Sequence, residues 1–330
     1  MDSQPTDSRT INDPALDEQE IQRFARYRRR VVENCSKVIL GKEQAISYLL
    51  TTFLCSGHIL LEDLPGTGKT MLLKAFARSI GGEFKRIQFT PDLLPSDLTG
   101  INFYNQKLGD FEFRPGPLFT NIVLADEINR ATPRTQSSLL EAMEERQITV
   151  DGQTRLLAQP FMVMATQNPI ESYGTFPLPE AQVDRFFMRL SLGYMERTDE
   201  LTVISRRDSQ DILGDLETVV TAEETAWLKE NYRRITVSAD VANYLMDIVD
   251  QTRQESRFAA GVSTRGALAL YKAAQVSAAF AGRSFVVPED IRLLAPPVLA
   301  HRIMAGNLGQ GSAVLDCLEE LIRQVPVPME

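Results

Sequence analysis

Lys69 and Thr70 close the run Asp63-Leu64-Pro65-Gly66-Thr67-Gly68-Lys69-Thr70. A short apolar stretch, His58–Leu61, precedes it and a helical pattern, Met71–Ile80, follows it. Strand, glycine-rich turn and helix is the order of a phosphate-binding loop. Glycine at positions 66 and 68 lets successive backbone N–H groups approach phosphate oxygens. The following helix turns its positive end toward the same oxygens. On this reading Pro65, Gly66, Thr67, Gly68, Lys69, Thr70 and Met71 line a nucleotide polyphosphate. Lys69 reaches the β- and γ-phosphates, and the Thr70 hydroxyl is a ligand for Mg²⁺. The strict pattern has glycine where this chain has Asp63, but the surrounding strand and helix are the context the motif requires.

A second constellation follows. The apolar run Asn121–Ala125 delivers Asp126 and Glu127 side by side at its end. Phosphoryl transfer asks mainly for metal, charge and positioning. Asp126 is suited to hold Mg²⁺ through water, and Glu127 to orient or deprotonate an attacking water. A third apolar run, Phe161–Ala165, ends at Thr166-Gln167-Asn168. The Asn168 amide is placed to steady that water, although an isolated loop asparagine is usually a turn residue.

These groups need a scaffold. The strand-like runs ending at positions 61, 124 and 165 read as buried strands of one sheet. Thr132 and Pro133 mark a helix start, with Leu139, Leu140 and Met143 as its apolar stripe. Two hairpins interrupt this framework. Residues 101–105 and 111–114 flank a glycine-containing turn, and 147–150 and 153–157 flank Asp151-Gly152. Phe103, Phe111 and Phe113 alternate, which predicts a single apolar face on the first hairpin. After Tyr194 helical patterns dominate, so a boundary is expected near residue 195. The segment 18–195 is expected to form an α/β nucleotide-binding domain and 196–330 an all-helical one, with a disordered tail at 1–17. The basic run Arg26–Arg30 reads as a solvated helix face.

The chain has 330 residues and a formal net charge of −9, which speaks against a dedicated nucleic-acid binder. Three scattered cysteines, Cys35, Cys55 and Cys317, predict neither a disulfide framework nor a zinc site, and His58 and His301 are expected to be structural. No signal peptide and no run of about 20 apolar residues is visible, so a cytosolic protein is expected.

Four segments carry a specific likeness. LEDLPGTGKT (61–70), LADEINRATPRTQSSLLEAMEE (124–145), ATQNP (165–169) and FPLPEAQVDRF (176–186) occur in the order and spacing of MoxR-type AAA+ ATPases. The sequence resembles that family from about residue 30 to residue 303. The family often has Glu-Asp before the loop, which accommodates Asp63. The resemblance implies an αβα sandwich with a parallel central sheet, followed by a smaller helical lid. It implies ATP and Mg²⁺, a ring that is usually a hexamer, and nucleotide held between subunits. By the same resemblance Arg185 matches an arginine finger that reaches the neighbour's γ-phosphate, the alternative being a surface Asp–Arg pair. Arg265, two residues past the N-cap Ser263, is similar to the sensor-2 arginine of the lid; simple solvent exposure is its alternative. Val38, Ile39 and Gly41 correspond to the stretch near the adenine, or else are ordinary packing. Arg130 and Arg134 are second choices for contacts between subunits. The hairpins correspond to the helix-2 insert and the hairpin before sensor 1, and either touch a client or brace the body. The implied role is chaperone-like remodelling of a partner, often with a von Willebrand factor A domain protein. A chelatase-like metal-insertion motor and a nucleic-acid-dependent motor are the competing readings. A guanine-reading Asn-Lys-x-Asp motif is absent from the sequence, which disfavours a GTPase.

Overall fold

The computed structural model describes residues 15–63, 66–167, 174–205, 212–306 and 312–328. Residues 1–14 of the tail expected at 1–17, Pro65 and Asn168 therefore lie outside the described residues, while Leu16 is buried and Asp17 caps the first helix, so the expected disorder does not reach 17.

Helices α1 (Glu18–Ser36) and α2 (Glu43–Leu54) lead into β1 (Ile59–Glu62), α3 (Lys69–Ser79) and β2 (Phe84–Gln88). A short α4 (Pro95–Thr99) opens the first hairpin, β3 (Gly100–Asn105) and β4 (Asp110–Pro115). Then come β5 (Ile122–Asp126), α5 (Pro133–Glu145), the second hairpin β6 (Gln147–Val150) and β7 (Gln153–Leu156), and β8 (Met162–Gln167). The short α6 (Glu180–Val183) precedes β9 (Met188–Leu190). The remaining described elements are helical: α7 (Arg197–Ser205), α8 (Ala222–Asn231), α9 (Ala239–Gln254), α10 (Thr264–Phe280), α11 (Pro288–Leu299) and α12 (Ser312–Gln324), with short 3₁₀ turns.

The central sheet has the order β2-β5-β8-β1-β9 and every pairing is parallel. This is the α/β fold with a helical second part that the sequence predicts. Side chains alternate between two faces, as the two-residue period of a strand dictates. Ile59, Leu61, Ile122, Leu124, Met162 and Met164 face one core, which α1, α3 and the helical half complete. Leu60, Val123, Ala125, Val163 and Ala165 face the other, closed by Leu139, Leu140 and Met143 of α5. Burying one such leucine or isoleucine contributes about 1.5–3 kcal/mol, which is why the inner strands run apolar until their C-terminal ends. Edge strands β2 and β9 escape the sequence reading. Lys85, Arg86 and Gln88 break the apolar run of β2, and β9 has only three residues.

Helix α1 begins with a capping box: the Asp17 carboxylate accepts from the Glu20 N–H at 2.8 Å, and Glu20 returns the bond to the Asp17 N–H at 3.0 Å. Its stripe Ile21, Phe24, Tyr27, Val31 and Cys35 is buried. The basic run on α1 is not simply solvated. Arg26 and Arg29 are exposed, but Arg28 donates to the Ser47 hydroxyl at 3.1 Å. Arg30 donates to the Val219 carbonyl at 2.9 Å and pairs with Glu224. Half of the run thus ties the helix to α2 and to the helical half.

The hairpins form as predicted, and Asp151 (φ 50°) and Gly152 (φ 76°) supply the left-handed turn of the second. The single phenylalanine face does not. Phe111 pairs with Tyr104 and Phe113 with Asn102, but Phe103 pairs with Glu112 and so lies on the opposite face. The count fails because Phe103 stands on the partner strand, where register rather than spacing decides the face. The two hairpins brace each other: Asn102 donates to Asp151 at 2.8 Å, and the Arg155 guanidinium sits 3.9 Å from the centre of the Phe113 ring. No helix among the described residues is long and apolar enough to cross a membrane.

Candidate active site

All five strands are parallel, so their C-terminal ends share one rim of the sheet, where a cleft of about 400 Å³ opens. Gly66 (φ 86°) and Gly68 (φ 85°) hold left-handed conformations that only glycine adopts cheaply, and the position of a Cβ on Gly66 meets nothing within 4 Å. Helix α3 starts at Lys69, with Thr70 and Met71 in its first turn beside the cleft. Lys69 Nζ donates to the Asp63 carbonyl at 3.1 Å. Ile39 closes the loop from behind, its Cδ1 lying 3.6 Å from a Cβ built on Gly68. Val38 packs against the core, and Gly41 (φ 65°) borders a neighbouring cavity with Tyr48 and Leu315.

The carboxylates enter from β5. Asp126 accepts from the Thr166 hydroxyl at 2.6 Å, and the same Thr166 oxygen accepts the Glu127 N–H at 2.8 Å. One hydroxyl therefore fixes both acidic residues from the adjacent strand. Glu127 sits at φ 58° and ψ 49°, a left-handed conformation that a non-glycine residue adopts at a cost. Its Oε2 accepts from Gln88 Nε2 at 2.7 Å and lies 3.2 Å from Arg130 Nε. Asp126 Oδ2 accepts from Arg86 at 2.6 and 3.1 Å. The Thr70 hydroxyl and the Asp126 carboxylate are hard oxygen donors of the kind Mg²⁺ takes. The Arg86 guanidinium is the cation that stands at that carboxylate here.

Arg185 and Arg265 lie elsewhere. Arg185 precedes β9 and Arg265 opens α10, and both border a second cleft of about 220 Å³ beside Ser56 and His58, at the N-terminal rim of the sheet. A five-residue strand separates the rims by about 17 Å. The Glu144 carboxylate holds both arginines, Arg265 at 2.8 Å and Arg185 at 3.3 Å. Asp184 lies 3.6 Å from Arg265 and 3.3 Å from Arg302. Arg302 is buried and donates to the Phe186 carbonyl at 2.7 Å, fixing the helical half to this rim. Burial pushes its guanidinium down to about 10. His58 accepts the Val163 N–H at 2.9 Å through Nδ1, which leaves Nε2 to donate to the Met143 carbonyl at 3.0 Å. Burial drives its imidazole down to about 4. His301 is also buried, bonded to the Phe186 carbonyl at 2.9 Å, and its pKa is well below the ordinary value for the same reason.

Residues 58–188 match the ATPase family associated with various cellular activities (AAA), and residues 250–316 match the AAA lid domain. The chain is 48% identical to the uncharacterized protein YeaC of Bacillus subtilis, over 91% of this chain and 95% of that protein. It is 38% identical to the chaperone MoxR1 of Mycobacterium tuberculosis, over 83% of this chain and 75% of that one. The protein MoxR of Paracoccus denitrificans is 33% identical, over 88% and 93%. The chain belongs to the MoxR family of AAA+ ATPases. A crystal structure of a candidate ATPase from Cytophaga hutchinsonii superposes with a TM-score of 0.85 at 38% identity, covering 93% of this chain and 98% of that one.

Within this MoxR-family fold the structure gathers Gly66, Thr67, Gly68, Lys69, Thr70, Met71, Asp126 and Glu127 around one cleft, and separates Arg185 and Arg265 from it. The docking of α10 sets Arg265 on the other rim from its own chain's phosphate loop. Arg130, a second choice for a contact between subunits, pairs with Glu127 of its own chain. Arg86, Gln88 and Thr166 are the residues that motif reading missed. The signal for the first two was the polar pattern of an edge strand, and for Thr166 its place one residue before the end of β8.

Proposed function

We propose that this MoxR-family chain hydrolyses ATP to ADP and phosphate at sites shared between adjacent copies in a ring, a hexamer by family likeness. The observation that carries this reading is the division of reactive groups between two rims. One rim holds the phosphate loop and the acidic pair. The other presents Arg185 and Arg265, both paired with the part-exposed Glu144 carboxylate and Arg265 also beside Asp184. Ion pairs this exposed are worth about 0–1 kcal/mol, so Glu144 yields its arginines readily to a phosphate.

On this reading the loop N–H groups and Lys69 hold the β- and γ-phosphates, and Ile39 and Gly41 stand on the adenine side. Thr70 and Asp126 would hold Mg²⁺, which supplies charge neutralisation when bound. Glu127 accepts the proton of the attacking water, and Asn168 steadies that water. Arg185 of the adjoining copy neutralises charge developing on the transferred phosphoryl group, with Arg265 beside it. Gln88 and Arg130 hold Glu127 aside until substrate rearranges them. Turnover then acts on a partner protein in a chaperone-like manner, in keeping with the name of the 38%-identical relative. The paired hairpins, where Tyr104 and Phe111 are exposed, are the surface offered to that client or to a protein with a von Willebrand factor A domain.

Mixing subunits tests the shared site. Arg185→Ala and Glu127→Gln proteins are each inactive alone, and mixtures regain phosphate release because some interfaces receive both intact halves. Assembled mixtures that stay inactive at every ratio would rule the shared site out.

A further inference from the structure

Position 63 is the first residue past β1, where the strict phosphate-loop pattern has glycine. Asp63 is 5% exposed, and a buried carboxylate persists only when its oxygens are satisfied. Its Oδ1 accepts from the Ser191 hydroxyl at 2.8 Å and the Gly193 N–H at 3.1 Å, and its Oδ2 accepts from the Leu192 N–H at 2.6 Å. These three donors are consecutive residues of the segment that leaves β9 for the helical half. Meanwhile the backbone carbonyl of Asp63 accepts from Lys69. One residue thus grips the reactive lysine with its main chain and the connecting segment with its side chain.

Leu192 anchors the start of the connecting segment in the core, and beyond it apolar burial falls away. Helix α7, which follows, contains no buried residue, and its Leu201 and Ile204 are exposed. The other polar ties also come from the nucleotide side. Lys42 Nζ donates to the Tyr194 carbonyl at 2.8 Å and to the Leu192 carbonyl, and Asp199 lies against Gly41 so closely that a Cβ there would collide with it. Beyond Leu192, polar ties rather than buried side chains lead the described chain into α7.

We propose that Asp63 is a positioning residue that couples occupancy of the phosphate loop to the segment joining the two halves of the chain. The proposal rests on the nucleotide-site reading above. A phosphate that takes Lys69 removes a donor from the Asp63 carbonyl, and the shift of that residue is transmitted through three charge-assisted bonds to residues 191–193. Asparagine cannot substitute, since its NH₂ would confront at least one of the three donors.

The test uses the full chain with Mg²⁺ and a non-hydrolysable ATP analogue, reading hydrogen exchange across residues 190–201. A fluorescent nucleotide measures affinity separately. In the wild type the analogue changes exchange in this segment. In Asp63→Asn the difference disappears, kcat falls about tenfold, and nucleotide affinity stays within about threefold, the scale of losing one or two hydrogen bonds to a charged group. Ser191→Ala, which removes one donor of three, shows the same pattern at reduced size and decides the matter if Asp63→Asn does not fold. The proposal is overturned if both variants keep the wild-type exchange difference and kcat. It is equally overturned if exchange and kcat fall only in step with nucleotide affinity, which would make Asp63 a shaper of the loop alone. A wild-type chain that binds no nucleotide overturns the site reading itself, whereas one that binds with no change at 190–201 overturns only the coupling.

Discussion

The two rims of the central sheet are built on opposite principles. At the C-terminal rim, backbone amides, one lysine and two carboxylates are fixed by short bonds from neighbouring strands, Thr166 holding both Asp126 and Glu127. At the N-terminal rim, long arginine side chains rest on Glu144 and Asp184 at the edge of solvent. The first rim is rigid because substrate must find its donors already aimed. The second is loosely held, which on the proposed mechanism lets its arginines exchange a carboxylate of their own chain for a phosphate outside it. On the proposed shared site each rim would be half a catalytic centre, the two halves lying about 17 Å apart in one chain.

The largest test of this contrast is Arg185→Ala. Turnover per site should fall about 10³-fold while nucleotide affinity is unchanged, read by phosphate release and fluorescent nucleotide titration. An equal loss of affinity would mean that Arg185 serves its own cleft, and the contrast collapses.

The next test separates the rims by pH. His58 lies under the arginine rim, neutral in the fold, with its pKa lowered to about 4 by burial. The unfolded chain protonates it near 6.5, so between pH 6.5 and 4 the unfolded state binds the extra proton. Stability is intact above this window and declines as pH falls through it, by up to about 3 kcal/mol from His58. Chemical denaturation of His58→Gln should show a flatter pH dependence than wild type. Parallel slopes would remove His58 as the source.

The smallest effect is expected at the rigid rim. Removing Arg86 frees Asp126 of a half-exposed ion pair, so Arg86→Ala should bind Mg²⁺ with nucleotide about two- to fivefold more tightly by calorimetry. Weaker binding would instead make Arg86 a phosphate contact.

Much of this was legible before any coordinates. The phosphate loop and the acidic pair are contiguous in sequence, each announced by an apolar strand, so local pattern suffices to find them. Arg86 and Gln88 were not legible, because they act from an edge strand whose pairing with β5 is not written locally. Arg265 illustrates the boundary between the two cases. Ser263 marks it correctly as a first-turn residue, its hydroxyl accepting the Gly266 N–H at 3.3 Å. Which rim it faces depends on how α10 docks, which no nearby residue states. Phe103 failed for a related reason, since strand register is settled by the partner strand. Asp63 looked like a departure from the motif, and its side-chain partners lie about 130 positions away.

The backbone at Glu127 carries a consequence for how this site persists. A left-handed glutamate costs the fold about 1–2 kcal/mol relative to glycine at the same torsion. Glu127→Gly would relieve that cost and, with Glu127 as the base, silence the chemistry. On the proposed mechanism, selection for thermal robustness alone would tend to trade this glutamate for glycine, against the hold of Gln88 and Arg130, while a demand for turnover would keep the carboxylate in place.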